Sequence, residues 1–137
     1  MTFENKLVAM VNKDIEVGVA MNAIAHMTIG LGAQLNNELL RLNDYRDKDG
    51  NIYPNISQIP FIILRGKSGE IRKAVNNAKE QNVKLGVFTN TMTGGTYQEQ
   101  LDNTTATPEE QLIYYGAVLF GPWDIVSQIT KKFSLYK

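Results

Sequence analysis

Four short apolar runs punctuate the chain: residues 6–11 (KLVAMV), 61–64 (FIIL), 83–88 (VKLGVF) and 116–120 (GAVLF). Each has strand length and little alternation, as expected of strands buried on both faces. Between them the pattern changes period. Residues 69–81 place Ile71, Ala74, Val75 and Ala78 on one helical stripe with Arg72, Lys73, Lys79 and Glu80 outward, and Ser68 stands where a cap is needed. Residues 123–132 repeat the design, with Asp124 in the first turn, Lys131 and Lys132 in the last, and Ile125, Val126 and Ile129 inward.

The longest apolar stretch is residues 17–35, VGVAMNAIAHMTIGLGAQL. Its expected inward stripe is Val17, Met21, Ile24, Thr28, Leu31 and Leu35. Val19, Ala23, Ala25 and Ile29 lie off that stripe, so the helix should be covered on more than one side. Asn22, His26, Thr28 and Gln34 interrupt the run and no aromatic belt flanks it, which argues against a membrane span. Residues 1–4 carry no basic cluster and a complete strand precedes the helix, which argues against a secretion signal.

Strand and helix in alternation imply an α/β domain: a three-layer α/β/α sandwich on a mixed, mostly parallel sheet of about four strands, one domain over 1–137. Residues 36–58 fit this scheme poorly. Asp47-Lys48-Asp49-Gly50-Asn51 reads as a hairpin turn. As a calcium loop it fails, because glycine stands fourth instead of sixth and Gln58 occupies the twelfth place. Residues 94–107 carry no assignment. Thr107, Pro108 and Glu110 carry helix-start signals for a short helix to about Tyr114.

Composition narrows the chemistry. With 14 basic and 14 acidic residues the formal charge is zero, so strong non-specific binding to nucleic acid or anionic lipid is not expected. Charge is nonetheless segregated: residues 65–84 hold six basic residues and two acidic ones, and residues 97–124 hold five acidic residues and no Lys or Arg. That asymmetry suggests solvated faces, or a dipolar surface for self-association. No cysteine is present, which removes disulfides and thiolate catalysis and suits a cytoplasmic location. With a single histidine and no cysteine, neither a metal centre nor any other cofactor is expected.

Candidate site residues lie at strand ends. Lys13 and Asp14 follow the first strand, and Gly18 opens the helix beyond it. Thr89-Asn90-Thr91-Met92-Thr93-Gly94-Gly95-Thr96 follows the third, rich in hydroxyls and free backbone N–H groups. If these two strands are neighbours and point the same way, Lys13, Asp14, Asn90, Thr91 and Thr93 converge on one cleft, where Lys13 could hold an anion. The competing reading makes Asp14 a helix cap and the loop a plain polar connection. His26 is a weaker candidate, a packed histidine or a base, and no serine stands in a nucleophile elbow.

Two segments carry a family resemblance. One is the first strand, Asp14, Gly18 and the Ala-rich helix. The other is Val118-Leu119-Phe120-Gly121-Pro122, Ile129-Thr130 and Phe133-Ser134-Leu135. Together they resemble the archaeal–eukaryotic class of peptidyl-tRNA hydrolase and, more closely, an uncharacterised bacterial family that shares its fold. The resemblance implies that fold and a homodimer. The hydrolase class carries Gly-Lys-Gly-Lys at the helix start, then Gln and His. Here Gly18 agrees, the lysine places are Val19 and Met21, the Gln place is Ala25 and the His place is Thr28. Its Asp-Ala-Gly after the third strand is Thr89-Asn90-Thr91. The expectation is therefore the fold without the activity, with a small polar ligand and a second copy of the chain as partners. An ester or amide hydrolase using Asp14 and His26 is the alternative.

Overall fold

The computed structural model describes residues 3–137; the first two residues of the 1–4 stretch, read as lacking the basic cluster of a secretion signal, lie outside the described residues. The chain runs β1 (Asn5–Asn12), α1 (Val17–Gln34), α2 (Asn37–Leu40), β2 (Leu42–Arg46), β3 (Ile52–Ser57), β4 (Phe61–Gly66), α3 (Ser68–Glu80), β5 (Lys84–Thr89), α4 (Tyr97–Ala106), β6 (Tyr114–Pro122), α5 (Trp123–Thr130) and β7 (Ser134–Leu135). Single 3-10 turns occupy Asn90–Met92 and Glu109–Gln111.

The main sheet is mixed and has five strands in the order β5-β6-β1-β4-β7. Only β1 and β4 pair in parallel; β6 pairs antiparallel with both β1 and β5, and β7 antiparallel with β4. The expectation of about four strands, mostly parallel, is thereby corrected. The first and third predicted strands are not neighbours, because the nine-residue β6 lies between them. They do point the same way, since each is antiparallel to β6. Alternation had no means of revealing this order. Every long strand reads as a continuous apolar run, and such runs carry no signature of their neighbours.

Side-chain alternation along β1 divides the core. Val8 and Met10 join Leu64, Leu119, Val126 and the α3 stripe Ile71, Ala74, Val75 and Ala78 on one face. Leu7 and Ala9 join Val118, Phe120, Phe88 and the α1 residues Ala23, Met27 and Leu31 on the other. The α3 stripe is the expected one, but Ser68 does not cap. It lies inside the helix, and its hydroxyl accepts from the Tyr114 N–H at 2.9 Å while Glu70 bonds the Lys67 N–H at 2.8 Å.

α1 is rotated from the expected stripe. Ala20, Ala23, Met27 and Leu31 face the sheet, whereas Val17 and Met21 are 59% and 65% exposed. The reason is room. Gly86 and Gly116 lie beneath Met27, and a Cβ on Gly116 would stand 2.9 Å from its Cε, so the small side of the helix is what fits against the strands. Asp14 does not cap α1 either: Glu16 takes that place without a side-chain bond, and Asp14 N–H donates to Asn12 Oδ1 at 2.8 Å.

Residues 36–58 form α2 and a separate two-stranded hairpin, β2-β3, with Asp47 at its turn. The helix expected from Thr107 to Tyr114 is only the 3-10 turn at Glu109–Gln111, because Tyr114 pairs with Thr89 as the first residue of β6. α5 ends at Thr130, leaving Lys131 and Lys132 beyond it. Among the described residues no helix is long and apolar enough to cross a membrane.

Candidate functional site

Because β1, β4 and β5 point one way, their carboxyl ends share a rim, and the start of β6 rises between them. There a buried polar wedge forms. Asn12 is 4% exposed, and its Nδ2 donates to the Tyr114 carbonyl at 2.9 Å. Asn90 clamps the neighbouring residue: its N–H donates to Ile113 O and its Oδ1 accepts from Ile113 N–H, both at 3.0 Å. Thr91 is buried in a hydroxyl chain, 2.8 Å from Thr89 Oγ1 and 2.9 Å from Thr104 Oγ1. These bonds tie the strand ends to one another, and of the residues making them Thr104 also reaches the wall of a cleft.

The wedge splits the rim into two hollows. Lys13 and Asp14 line a polar one of about 440 Å³ with Arg65, Gly66, Glu70, Lys132 and Ser134. Thr93 and His26 line a cleft of about 480 Å³ on the other side. Gly18 lies in neither hollow, and nothing approaches within 4 Å of where its Cβ would stand. Thus the predicted residues do gather at one edge of the sheet, but as two groups separated by Asn90 and Thr91.

The second cleft is the better-built site. α1 supplies Asn22 and His26, one turn apart on one face. β5 supplies Phe88, and the segment after it supplies Met92 and Thr93. α4 closes the far wall with Tyr97, Gln100, Leu101 and Thr104, spaced by threes and fours. α4 starts where Thr96 accepts from the Glu99 N–H at 3.1 Å. The signals for this wall, Thr96 with Glu99 and the period of Tyr97, Leu101 and Thr104, stand in the sequence. They are easily passed over because α4 buries no residue.

His26 stacks on Phe88 with centroids 5.9 Å apart and planes 23° apart, and Phe88 stacks in turn on Tyr115 at 6.5 Å. Gln100 is engaged with Gly94 O at 3.1 Å and Thr104 with Gln100 O at 2.7 Å. Among the hydrogen bonds of the described residues none involves the side chains of Asn22, His26 or Thr93, so three solvent-exposed polar groups without an intrachain partner border an apolar floor. No carboxylate lines the cleft to orient His26, and no Lys or Arg stands there to hold a charged group.

In the polar hollow the charged side chains are surface-exposed and make no ion pair with one another; elsewhere an ion pair joins Arg72 and Glu109 at 2.8 Å. That pair also brings the basic and acidic segments together within one chain. Arg72 additionally donates to Leu112 O at 2.6 Å, and its guanidinium holds the Glu109 carboxyl below its ordinary range. Among the described residues no three His, Asp or Glu side chains gather as a metal site would require.

Comparison with known proteins agrees with this placement of elements. Residues 5–137 match the family described as a protein of unknown function, DUF2000. The chain belongs to that family. A solved structure of a protein of unknown function from Agrobacterium tumefaciens str. C58 is similar over 99% of this chain and 100% of its own, with a TM-score of 0.84 and 24% identity. At that identity the likeness is one of fold. No curated protein matches. For this DUF2000 chain, then, functional inference rests on the site itself.

Proposed function

We propose that this domain is a small-molecule binder on a three-layer scaffold of the peptidyl-tRNA hydrolase type, without that hydrolase's activity. Helices on both faces of a mixed sheet whose four long strands are joined by one short strand support the scaffold reading. Loss of activity is supported by the places of the two lysines, which are Val19 and Met21 on an α1 that carries no charged residue. The ligand sits in the cleft between α1 and α4, not in a single mouth shared by β1 and β5.

The observation that carries this reading is a cleft whose apolar lining of Phe88, Met92, Tyr97 and Leu101 is bordered by the exposed polar groups of Asn22, His26 and Thr93. That lining recognises a flat, mostly apolar body with one polar end, which could stack beside Tyr97 and exchange hydrogen bonds with the amide and imidazole.

A thermal-shift screen of neutral heteroaromatic compounds, with inorganic phosphate alongside, tests this. A ligand at a hundredfold excess over its Kd should raise the midpoint by about 10 °C, and His26→Ala with Asn22→Ala should abolish the rise. Stabilisation that survives both changes but disappears in Lys13→Ala would move the site to the polar hollow. Peptidyl-tRNA should not be turned over; hydrolysis lost in His26→Ala would restore the hydrolase reading.

A further inference from the structure

One ridge of α1 is spaced by fours without a break: Asn22, His26, Gly30 and Gln34. All four are exposed, and the ridge spans about 18 Å, the rise of twelve helical residues. Its first two residues line the cleft described above, together with Phe88. Its last three line a second hollow of about 190 Å³, with Gly86, Val87 and again Phe88 across from them. His26 and Phe88 thus belong to both, and their stacked rings stand where the two meet. β5 is the last strand on this side of the sheet, so among the described residues no further strand closes the outer flank of either space.

Gly30 is what keeps the second hollow open. Glycine inside a helix weakens it, and a close neighbour commonly accounts for its presence. Gly86 has such neighbours: a Cβ there would stand 3.2 Å from Val118 Cγ2 and 3.3 Å from the Met27 carbonyl. Around Gly30 nothing lies within 4 Å of where a Cβ would be, so its missing side chain makes no room for another part of this chain. Gly18 and Gly32 share that freedom but line neither space. A longer side chain at position 30 would project from the ridge between His26 and Gln34, into the hollow. The rest of the lining is apolar at Met27, Leu31, Val87 and Phe88, and no Asp, Glu, Lys or Arg takes part.

We infer that the ligand of the cleft continues past His26 into this second hollow, and that Gly30 sets how long it is. The inference rests on the ligand reading above and names its class: an uncharged molecule with an aromatic head, a polar linker and an unbranched apolar tail. The head lies beside Tyr97 and Leu101. The linker crosses the His26–Phe88 pair, where the imidazole and the Asn22 amide exchange hydrogen bonds with it. The tail runs between Gly30 and Val87 over apolar surface. At less than half the volume of the cleft, about 190 Å³ against 480 Å³, the hollow takes a slim chain and not a second ring system.

Heteronuclear NMR titration with N-alkylbenzamides tests this, because the ring and amide stay constant while the chain grows. Each methylene should tighten binding about twofold, half the logarithmic gain of full burial, since the hollow is open on one side. N-hexylbenzamide should therefore bind about thirtyfold more tightly than N-methylbenzamide, and it alone should shift the Gly30 and Val87 amides. Gly30→Leu places its side chain in open space and favours the helix. It should remove the hexyl advantage and leave the Kd of the methyl compound unchanged; Gly30→Ala, the milder change, should reduce that advantage severalfold. Equal affinity of the two compounds for the wild type overturns the inference while the cleft stands. So does a hexyl advantage that survives both Gly30 variants, since the tail would then lie elsewhere. If neither compound binds, the cleft reading falls and this one falls with it.

Discussion

The two faces of the sheet are closed by helices of opposite character. On one, α3 has a narrow apolar stripe and a charged back, and the stripe disappears completely into the core: Ile71 and Ala78 have no exposed surface. On the other, α1 is apolar nearly all round, yet only Ala20, Ala23, Met27 and Leu31 are buried. The contrast separates two meanings of hydrophobicity. An amphipathic helix declares its orientation, because only one rotation hides the stripe and solvates the charges. A uniformly apolar helix leaves rotation to steric fit, and its surplus apolar surface becomes available for recognition.

The largest expected effect lies on the closed face. Ile71→Ala should cost about 3 kcal/mol in urea unfolding, whereas Ile29→Ala on the open face should leave the unfolding of the monomer almost unchanged. Equal losses would erase the contrast. Next is the fit beneath α1. A Cβ on Gly116 would meet Met27 Cε at 2.9 Å and the Met10 carbonyl at 3.0 Å, so Gly116→Ala should cost about 2 kcal/mol and displace the helix, visible as shifted Met27 methyl resonances.

Arg72 fastens α3 to the segment leading into β6, with Glu109 and the Leu112 carbonyl as partners and the Tyr114 ring 5.1 Å away. Its replacement by Ala should cost about 1 kcal/mol, measured by chemical denaturation, and less in high salt. Gly30 sits in mid-helix with open space where a Cβ would stand. Gly30→Ala should therefore stabilise the domain by roughly 0.5–1 kcal/mol, and a destabilisation would mean that this face is already in contact with something.

The smallest effect concerns the β2-β3 hairpin. Four hydrogen bonds hold the Asp47 carboxyl at about 2, against an ordinary value of 3.8, the Asn51 amide being the largest cause. Because the folded value is depressed, the turn's contribution is full above about pH 4 and is lost as pH falls toward 2. Protection of the Asn51 and Tyr53 amides, measured as exchange relative to the intrinsic rate at each pH, should fall over that window in the wild type. In Asp47→Asn that protection should be lower already at neutral pH and insensitive to acid.

Much of this was legible in the linear chain. The four long strands, the α3 stripe, the DKDGN turn and the polar rim follow from period, propensity and turn chemistry, which act between residues close in sequence. So did the strand-end location of Lys13 and Thr93. The cleft around His26 was only half legible. Its α1 and β5 sides were visible as elements, but α4, polar and unburied, left no stripe to read.

Tertiary structure alone decided three things: the insertion of β6 between β1 and β5, the rotation of α1, and the consumption of Asn90 and Thr91 by the wedge around Tyr114. Each is a choice among alternatives of nearly equal local merit. Strand neighbours are selected by how the whole sheet packs. Helix rotation is selected by glycines 60 and 90 residues away from Met27 in sequence, roughly, and fixed by close packing. Whether an amide binds a ligand or the backbone depends on which unpaired group lies nearest once the chain is folded.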